Sequence, residues 1–277
     1  MSDPYKIAAK ITKKQVTDAL LKDERIDGRG LLDYREITTE IGLLEKASGS
    51  ALVSIGKTKV LAGVKVEMGT PYPDKPDAGV LTVNVELTPL ASPSFEPGPP
   101  SEDAIELARV VDRGIRESQA VDVKKLCIVP GKKVFVVFVD LDVLNDSGNL
   151  FDTSALASIL ALMNAKIKDY TVSKSGELKY KKSTSHLPIK NFPIEVTVAK
   201  IGEKMVVDVS LEEKAVVDAQ LTIALGKDNE VCAIQKSLIG TFSQDEVHQA
   251  LQIATDKSEE LRTKFLRGVE GWLEGKE

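Results

Sequence analysis

Three arginines are the first residues in this sequence whose types and spacing could do chemistry. Arg109, Arg113 and Arg116 stand in SEDAIELARVVDRGIRESQA at i, i+4 and i+7. On a helix they share one face, and guanidinium groups in a row grip phosphate oxygens through forked hydrogen bonds. Ala104, Ala108, Val111 and Ile115 would form the apolar stripe of that helix. Glu106, Asp112 and Glu117 lie within helical reach of the arginines, and pairing with them would leave an ordinary solvated face. Both readings stand on these residues alone.

The second candidate is DLDVLNDSGNLFDTSA, residues 140–155. A strand feeds a polar turn and the turn a helix, the arrangement in which converging backbone N–H groups hold an anion. Ser147, Gly148 and Asn149 are turn-formers, but Leu150 and Phe151 add no donor beyond the backbone, and Asp146 and Asp152 bring negative charge. Local electrostatics oppose an anion, so the expectation is a turn without phosphate. In DVSLEEKAVVDAQ, the acids Asp208, Glu212, Glu213 and Asp218 could hold magnesium or supply a general base. The intervening valines spread them over a strand and a loop, so they read as surface acids around a hairpin. Gln220 cannot ionise, so it can orient a group but takes no proton. His186 and His248 have no nucleophile-like motif nearby, and the Lys cluster (Lys174, Lys179, Lys181, Lys182, Lys190) reads as a solvated loop with RNA contact as its alternative.

These residues need elements to position them. Residues 12–24 suggest a short amphipathic helix, and Gly28 and Gly30 a loop. LDYREITTEIG, GSALVSIG, TKVLAGVKVEM and VLTVNVEL alternate as strands. Five prolines (Pro89, Pro93, Pro97, Pro99, Pro100) exclude a regular element before the arginine helix. That helix is expected over about 102–118, entered at Ser101 with acids in its first turn. KKVFVVFVDLDVL is apolar on both faces at its start, which places it centrally in a sheet. The apolar helix SALASILALMNAKI follows. Residues 167–190 look like a polar, Lys-rich linker with room for one hairpin. Two hairpins then turn at Gly202 and near 226–229. A long helix over about 244–274 would face the core with Val247, Ala250, Ala254, Leu261, Phe265, Val269 and Trp272.

Composition bounds the class. With 277 residues, 42% hydrophobic and 29% charged, the chain should be globular with a real core. No apolar run is long enough to span a membrane, and MSDPYKIAAKITKKQV has no signal-like stretch. Cys127 and Cys232, in no metal-like spacing, read as buried small hydrophobes. All this fits the cytoplasm. The net charge of −5 lacks the basic excess common among nucleic-acid binders, so any RNA contact must be a local patch.

The order of several motifs carries a resemblance. Arg25-Ile26-Asp27-Gly28-Arg29 is similar to the R-x-D-G-R opening of RNase PH-like proteins, and Gly49 to Leu61 to their "G-S-A-x-V-x-x-G-x-T-x-V-L" strand pair. FEPGPPSEDAIELARVVDRGIRES, followed by the long strand and apolar helix, resembles the non-catalytic ring subunit of the archaeal exosome, over roughly residues 20–260. The fold this implies is α+β: an RNase PH-like fold of two linked β-sheet/helix halves (ribosomal-protein-like ββαβα units) with a long C-terminal helix. Its divisions would be an N-terminal helix and arm (1–30), a first half (31–170), a polar connector (171–190), and a second half with the C-terminal helix (191–277).

Phosphorolytic members of the family carry a Gly-Gly-Ser/Thr-Arg turn that grips inorganic phosphate. The matching stretch here is Gly148-Asn149-Leu150-Phe151, without the second Gly, the hydroxyl or the Arg. The catalytic Asp of active members falls on Gln220 when counted from Asp208, or on Asp218 in an alternative register. The resemblance therefore implies an inactive paralogue with no catalytic residues and no cofactor, Leu150, Phe151 and Gln220 marking the lost positions. It also implies RNA contacts by Arg113, Arg116 and, more weakly, Arg109. The implied partners are a catalytic RNase PH-like subunit, in a ring of three copies of each, RNA-binding cap proteins, and single-stranded RNA entering for 3′→5′ phosphorolysis. The alternatives are an exoribonuclease active by itself and a scaffold that touches no RNA.

Overall fold

Alternating apolar residues in the first half and a wholly apolar helix behind them set the architecture. The computed structural model describes residues 13–172 and 178–265. After a helical stretch at residues 13–20 (α1) come β1 (Ile37–Ile41), β2 (Gly49–Ile55), β3 (Thr58–Gly69), β4 (Val80–Leu87) and α2 (Glu102–Glu117). β5 (Cys127–Val129), β6 (Lys133–Asn145), α3 (Leu150–Asn164), β7 (Lys166–Val172) and β8 (Leu178–His186) follow. The chain continues through β9 (Ile194–Ile201), β10 (Lys204–Val207), the short α4 (Leu211–Lys214), β11 (Ala219–Leu225), β12 (Val231–Ser237) and α5 (Gln244–Phe265).

The first sheet runs β1-β2-β3-β6-β4, with β5 paired to the start of β6. β6 lies between antiparallel β3 and parallel β4, the central position its two apolar faces required. The second sheet runs β10-β9-β11-β12, and β7-β8 form a separate ribbon. α3 lies across β2 and β3 and also touches β9. It is buried on all sides from Asp152 to Met163, as a helix apolar all round must be. One apolar core therefore joins both halves, running from Ile37 through Leu160 to Ile223 and Leu261.

Several expectations shift. The strand read from residue 32 starts at Ile37, because Arg35 gives its backbone N–H and its guanidinium to Asp208. α3 starts at Leu150, four residues earlier than read, because Asn149 takes the left-handed conformation at its N-terminus (φ 58). The apolar pair Leu150–Phe151 thus forms the first turn of a helix. The Lys-rich connector is the β7–β8 ribbon, docked by the edge-to-face packing of Tyr170 on Phe135. Cys127 and Cys232 are half-buried free thiols, not core residues. α1 packs Val16 and Leu20 against Ala199, Ile201 and Val206, so the N-terminal arm lies on the second half. Lys174, Val269 and Trp272 lie outside the described residues.

Candidate functional site

The N-terminal arm, the 146–149 turn and the second half meet at a set of arginines and acids. Arg25 is fully buried. It donates through Nε to Glu213 Oε1 (2.8 Å) and through Nη2 to Glu213 Oε2, and its fork also reaches the carbonyls of Val207 and Asp208 (2.8 Å each). Glu213 closes a capping box with Ser210 at the start of α4. Asp208, with a side chain 0% exposed, receives five hydrogen bonds of 2.8, 2.8, 2.7, 2.9 and 2.9 Å: Arg35 N, Nε and Nη2, Arg29 Nη1, and Asn149 Nδ2. Burial alone would raise its pKa, but the hydrogen bonds and charge of Arg35 outweigh that and hold it below the usual carboxylate range. The sequence placed Asp208 and Glu213 on the surface. The structure buries both, because Arg25, Arg29 and Arg35 neutralise them.

The turn is folded inward by the same residues. Arg35 Nη1 and Nη2 donate to the carbonyls of Ser147 (2.7 Å) and Gly148 (3.2 Å). Ser147 N–H donates to Thr58 Oγ1 (3.1 Å), and Gly148 N–H to Asp146 Oδ1 (2.9 Å). Two donors that an anion would use are thus committed within the chain. Gly148 has φ 91, and a Cβ there would collide with the Val209 carbonyl, so only Gly fits. Beside the turn, Asp152 accepts from Tyr34 Oη (2.6 Å) and Asn149 Nδ2 (3.1 Å). Burial pushes its pKa up to about 6.

A cavity of about 140 Å³ opens where the turn meets β11. Leu150, Phe151 and Gln220, the three residues singled out as lost positions, all line it, with Leu87, Phe95 and Thr197. The charged groups in its wall are Asp103, Glu106, Asp146 and Lys214. Three carboxylates against one ammonium repel an anion, and among the described residues no arginine lines the cavity. Asp218 lies outside it: its Oδ2 accepts the Gly202 N–H (2.7 Å) and holds the β9–β10 turn. Among the described residues no three His, Cys, Asp or Glu side chains cluster to hold a metal.

α2 begins at Ser101, whose hydroxyl accepts the Ala104 N–H, with Glu102 and Asp103 in the first turn. It buries Ala104, Leu107, Val110, Val111, Gly114 and Ile115. All three arginines are exposed. Arg109 makes no hydrogen bond or ion pair among the described residues. Arg113 reaches Gln235 Oε1 at 3.4 Å. Arg116 pairs with Asp112 through Nε (3.0 Å) and Nη2 (2.6 Å), and Nη2 also donates to the Leu81 carbonyl (2.9 Å). The ion-pair reading holds for Arg116. It fails for Arg109 and Arg113, since Glu106 turns instead to the Ser237 hydroxyl (2.6 Å).

His186 ends β8 with its Nδ1 buried and unpartnered among the described residues, and His248 is exposed on α5. Lys179, Lys181 and Lys182 are exposed on β8, whereas Lys190 pairs with Asp122 (2.9 Å). No described helix is long and apolar enough to cross a membrane.

A two-sheet α+β fold around a buried helix, with an arginine helix beside a strand–turn–helix cavity, defines a class. Residues 33–168 match the description "3' exoribonuclease family, domain 1" and residues 191–257 match domain 2. The chain belongs to this RNase PH family. It is 49% identical to "Exosome complex component Rrp42" of Thermococcus kodakarensis, over 95% of this chain and 97% of that one. It is 46% identical to the protein of the same name from Methanosarcina acetivorans, over 97% and 98%. Among solved structures it is similar to a chain of the Archaeoglobus fulgidus exosome with RNA bound to the active site, with a TM-score of 0.87, 48% identity, and 94% of this chain and 99% of that chain covered. A chain of an archaeal exosome core gives a TM-score of 0.83 at 44% identity, covering 95% and 99%.

Proposed function

We propose that this chain is a non-catalytic subunit of an exosome ring that holds single-stranded RNA for a catalytic RNase PH-like neighbour. The observation that carries this reading is the cavity between the turn and β11. Leu150, Phe151 and Gln220 line it, and its charged wall is mostly carboxylate. Inorganic phosphate would be repelled there, and Gln220 cannot act as a base. In the catalytic neighbour, a phosphate oxygen attacks the terminal phosphorus. The 3′ oxygen of the penultimate nucleotide leaves and takes up a proton, and a nucleoside diphosphate is released. This chain's part is positioning: exposed guanidinium groups on α2 hold the RNA backbone in line for that attack. Such contacts read phosphate, not base, so they give little sequence preference.

Among the described residues Arg109 has a free fork, Arg113 commits only Nη1, to Gln235, and Arg116 keeps Nη1 available while Asp112 holds its other nitrogens. The ring would alternate three copies of this chain with three of the catalytic subunit, with cap proteins over its entrance. The Arg116–Asp112 pair favours the scaffold reading for that one residue. An active site built on Asp218 is disfavoured by its bond to Gly202 and by its place outside the lining of the turn's cavity. The test is RNA binding by the assembled ring carrying Arg113→Ala or Arg109→Ala. Each lost phosphate contact lowers the salt slope of binding by about 0.7 for a single strand. Slopes equal to that of the unaltered ring would leave the scaffold reading.

A further inference from the structure

We infer that the cavity beside the turn is a socket for an arginine side chain presented by a neighbouring ring subunit. This rests on the ring reading above and names a contact within it. Three features select that occupant. The first is charge: Asp103, Glu106 and Asp146 line the cavity, and among the described residues none of them forms an ion pair. Among the described residues each keeps an oxygen free, since Asp146 uses only Oδ1 (for Gly148 N–H), Glu106 only Oε1 (for Ser237), and Asp103 neither. Lys214 is also in the wall but bonds none of them.

The second feature is shape. Phe95, Phe151, Leu87 and Leu150 give the cavity apolar and aromatic walls. A guanidinium matches both halves of this lining: its planar face stacks on aromatic rings, and its fork meets carboxylates. An ammonium ion lacks the stacking face, and a phosphate meets like charge.

The third feature is the rim. Leu238 lines the cavity in the left-handed conformation (φ 65) and is 48% exposed, and Ile239 beside it is 100% exposed. A branched side chain held at positive φ is a strained arrangement. Here it sets two apolar residues facing outward at the mouth of an acidic cavity. That is how a protein contact begins, with an apolar rim around a charged anchor.

The test uses the ring assembled from this chain and its RNase PH-like neighbour, with association followed by sedimentation over a dilution series at two salt concentrations. The unaltered pair must associate; failure there sinks the ring reading itself. With Asp103→Asn and Glu106→Gln together, the dissociation constant should rise at least about tenfold and its salt dependence should flatten. The urea midpoint of the isolated chain should fall only slightly, by the loss of one acid from the first turn of α2, since glutamine still accepts from Ser237. Leu150→Arg, which supplies a cation from within, should block assembly while circular dichroism stays that of the folded chain. An unchanged dissociation constant in both variants overturns the socket. So does a double variant that assembles normally but binds labelled single-stranded RNA differently, which would make RNA the occupant.

Discussion

Replacing Asp208 with alanine should unfold the joint between the two halves more than any surface change. Asp208 receives five hydrogen bonds from Arg35, Arg29 and Asn149, and its side chain is 0% exposed against 12% for Arg35 and 14% for Arg29. Its loss leaves the nearly buried Arg35 guanidinium without its carboxylate partner, while Arg29 keeps only Asp27. Breaking a buried pair from one side costs about 3–5 kcal/mol, so a melting temperature should fall by roughly 10 °C for a chain of this size. Urea unfolding followed by circular dichroism measures this directly. Glu67→Ala, which breaks the exposed Lys65–Glu67 pair, should leave the midpoint unchanged. The pair also predicts coupling: Arg35→Ala added to Asp208→Ala should cost much less than the two changes summed. The folded-state pKa of Asp208 is depressed. Its contribution is therefore present above the unfolded carboxylate value and lost as pH falls below about 4. A cost under about 1 kcal/mol, or simple additivity with Arg35→Ala, would refute the clamp.

Asp152 has the opposite sign. Its pKa is raised to about 6, so the native state binds the extra proton between about pH 4 and 6, and its ionisation removes stability as pH rises through that window. Asp152→Asn should therefore stabilise the chain by about 1–3 kcal/mol at pH 8 and by little at pH 4; equal effects at both would contradict the buried-carboxyl account. Gly114→Ala would place a Cβ against Glu195, a buried carboxyl whose Oε2 has no partner among the described residues. Alanine favours a helix over glycine, yet here it should destabilise by about 1–3 kcal/mol, because the overpacking outweighs the propensity gain. Shortening the neighbour as well, in Gly114→Ala with Glu195→Ala, should recover part of the loss in the same urea measurement.

The strands and α2 were legible because period-two alternation and a capped apolar stripe are local signals, as in VLTVNVEL and SEDAIELARVV. Motif order also singled out Leu150, Phe151 and Gln220, and the structure brings these three to one cavity. The arginine–acid clamp was not. Arg25 and Glu213 are 188 residues apart and Arg35 and Asp208 are 173 apart, and composition carries no such distance. The acids of DVSLEEKA therefore read as surface residues, though arginine after arginine in the opening arm was a signal that buried counter-charges must exist somewhere. Residues 167–190 left room for one hairpin, and β7 pairs with β8 there; their lysines mark an exposed strand as readily as a loop. The start of α3 was misplaced because one asparagine at positive φ, not any apolar period, sets it.

The most direct test of the central claim is degradation of single-stranded RNA, with and without inorganic phosphate, by this chain alone and then with its RNase PH-like neighbour. The account predicts no nucleoside diphosphate from the chain alone and phosphate-dependent release from the mixture. Phosphate-dependent release by the chain alone would contradict it, and would mean that a working anion site exists despite Leu150, Phe151 and Gln220.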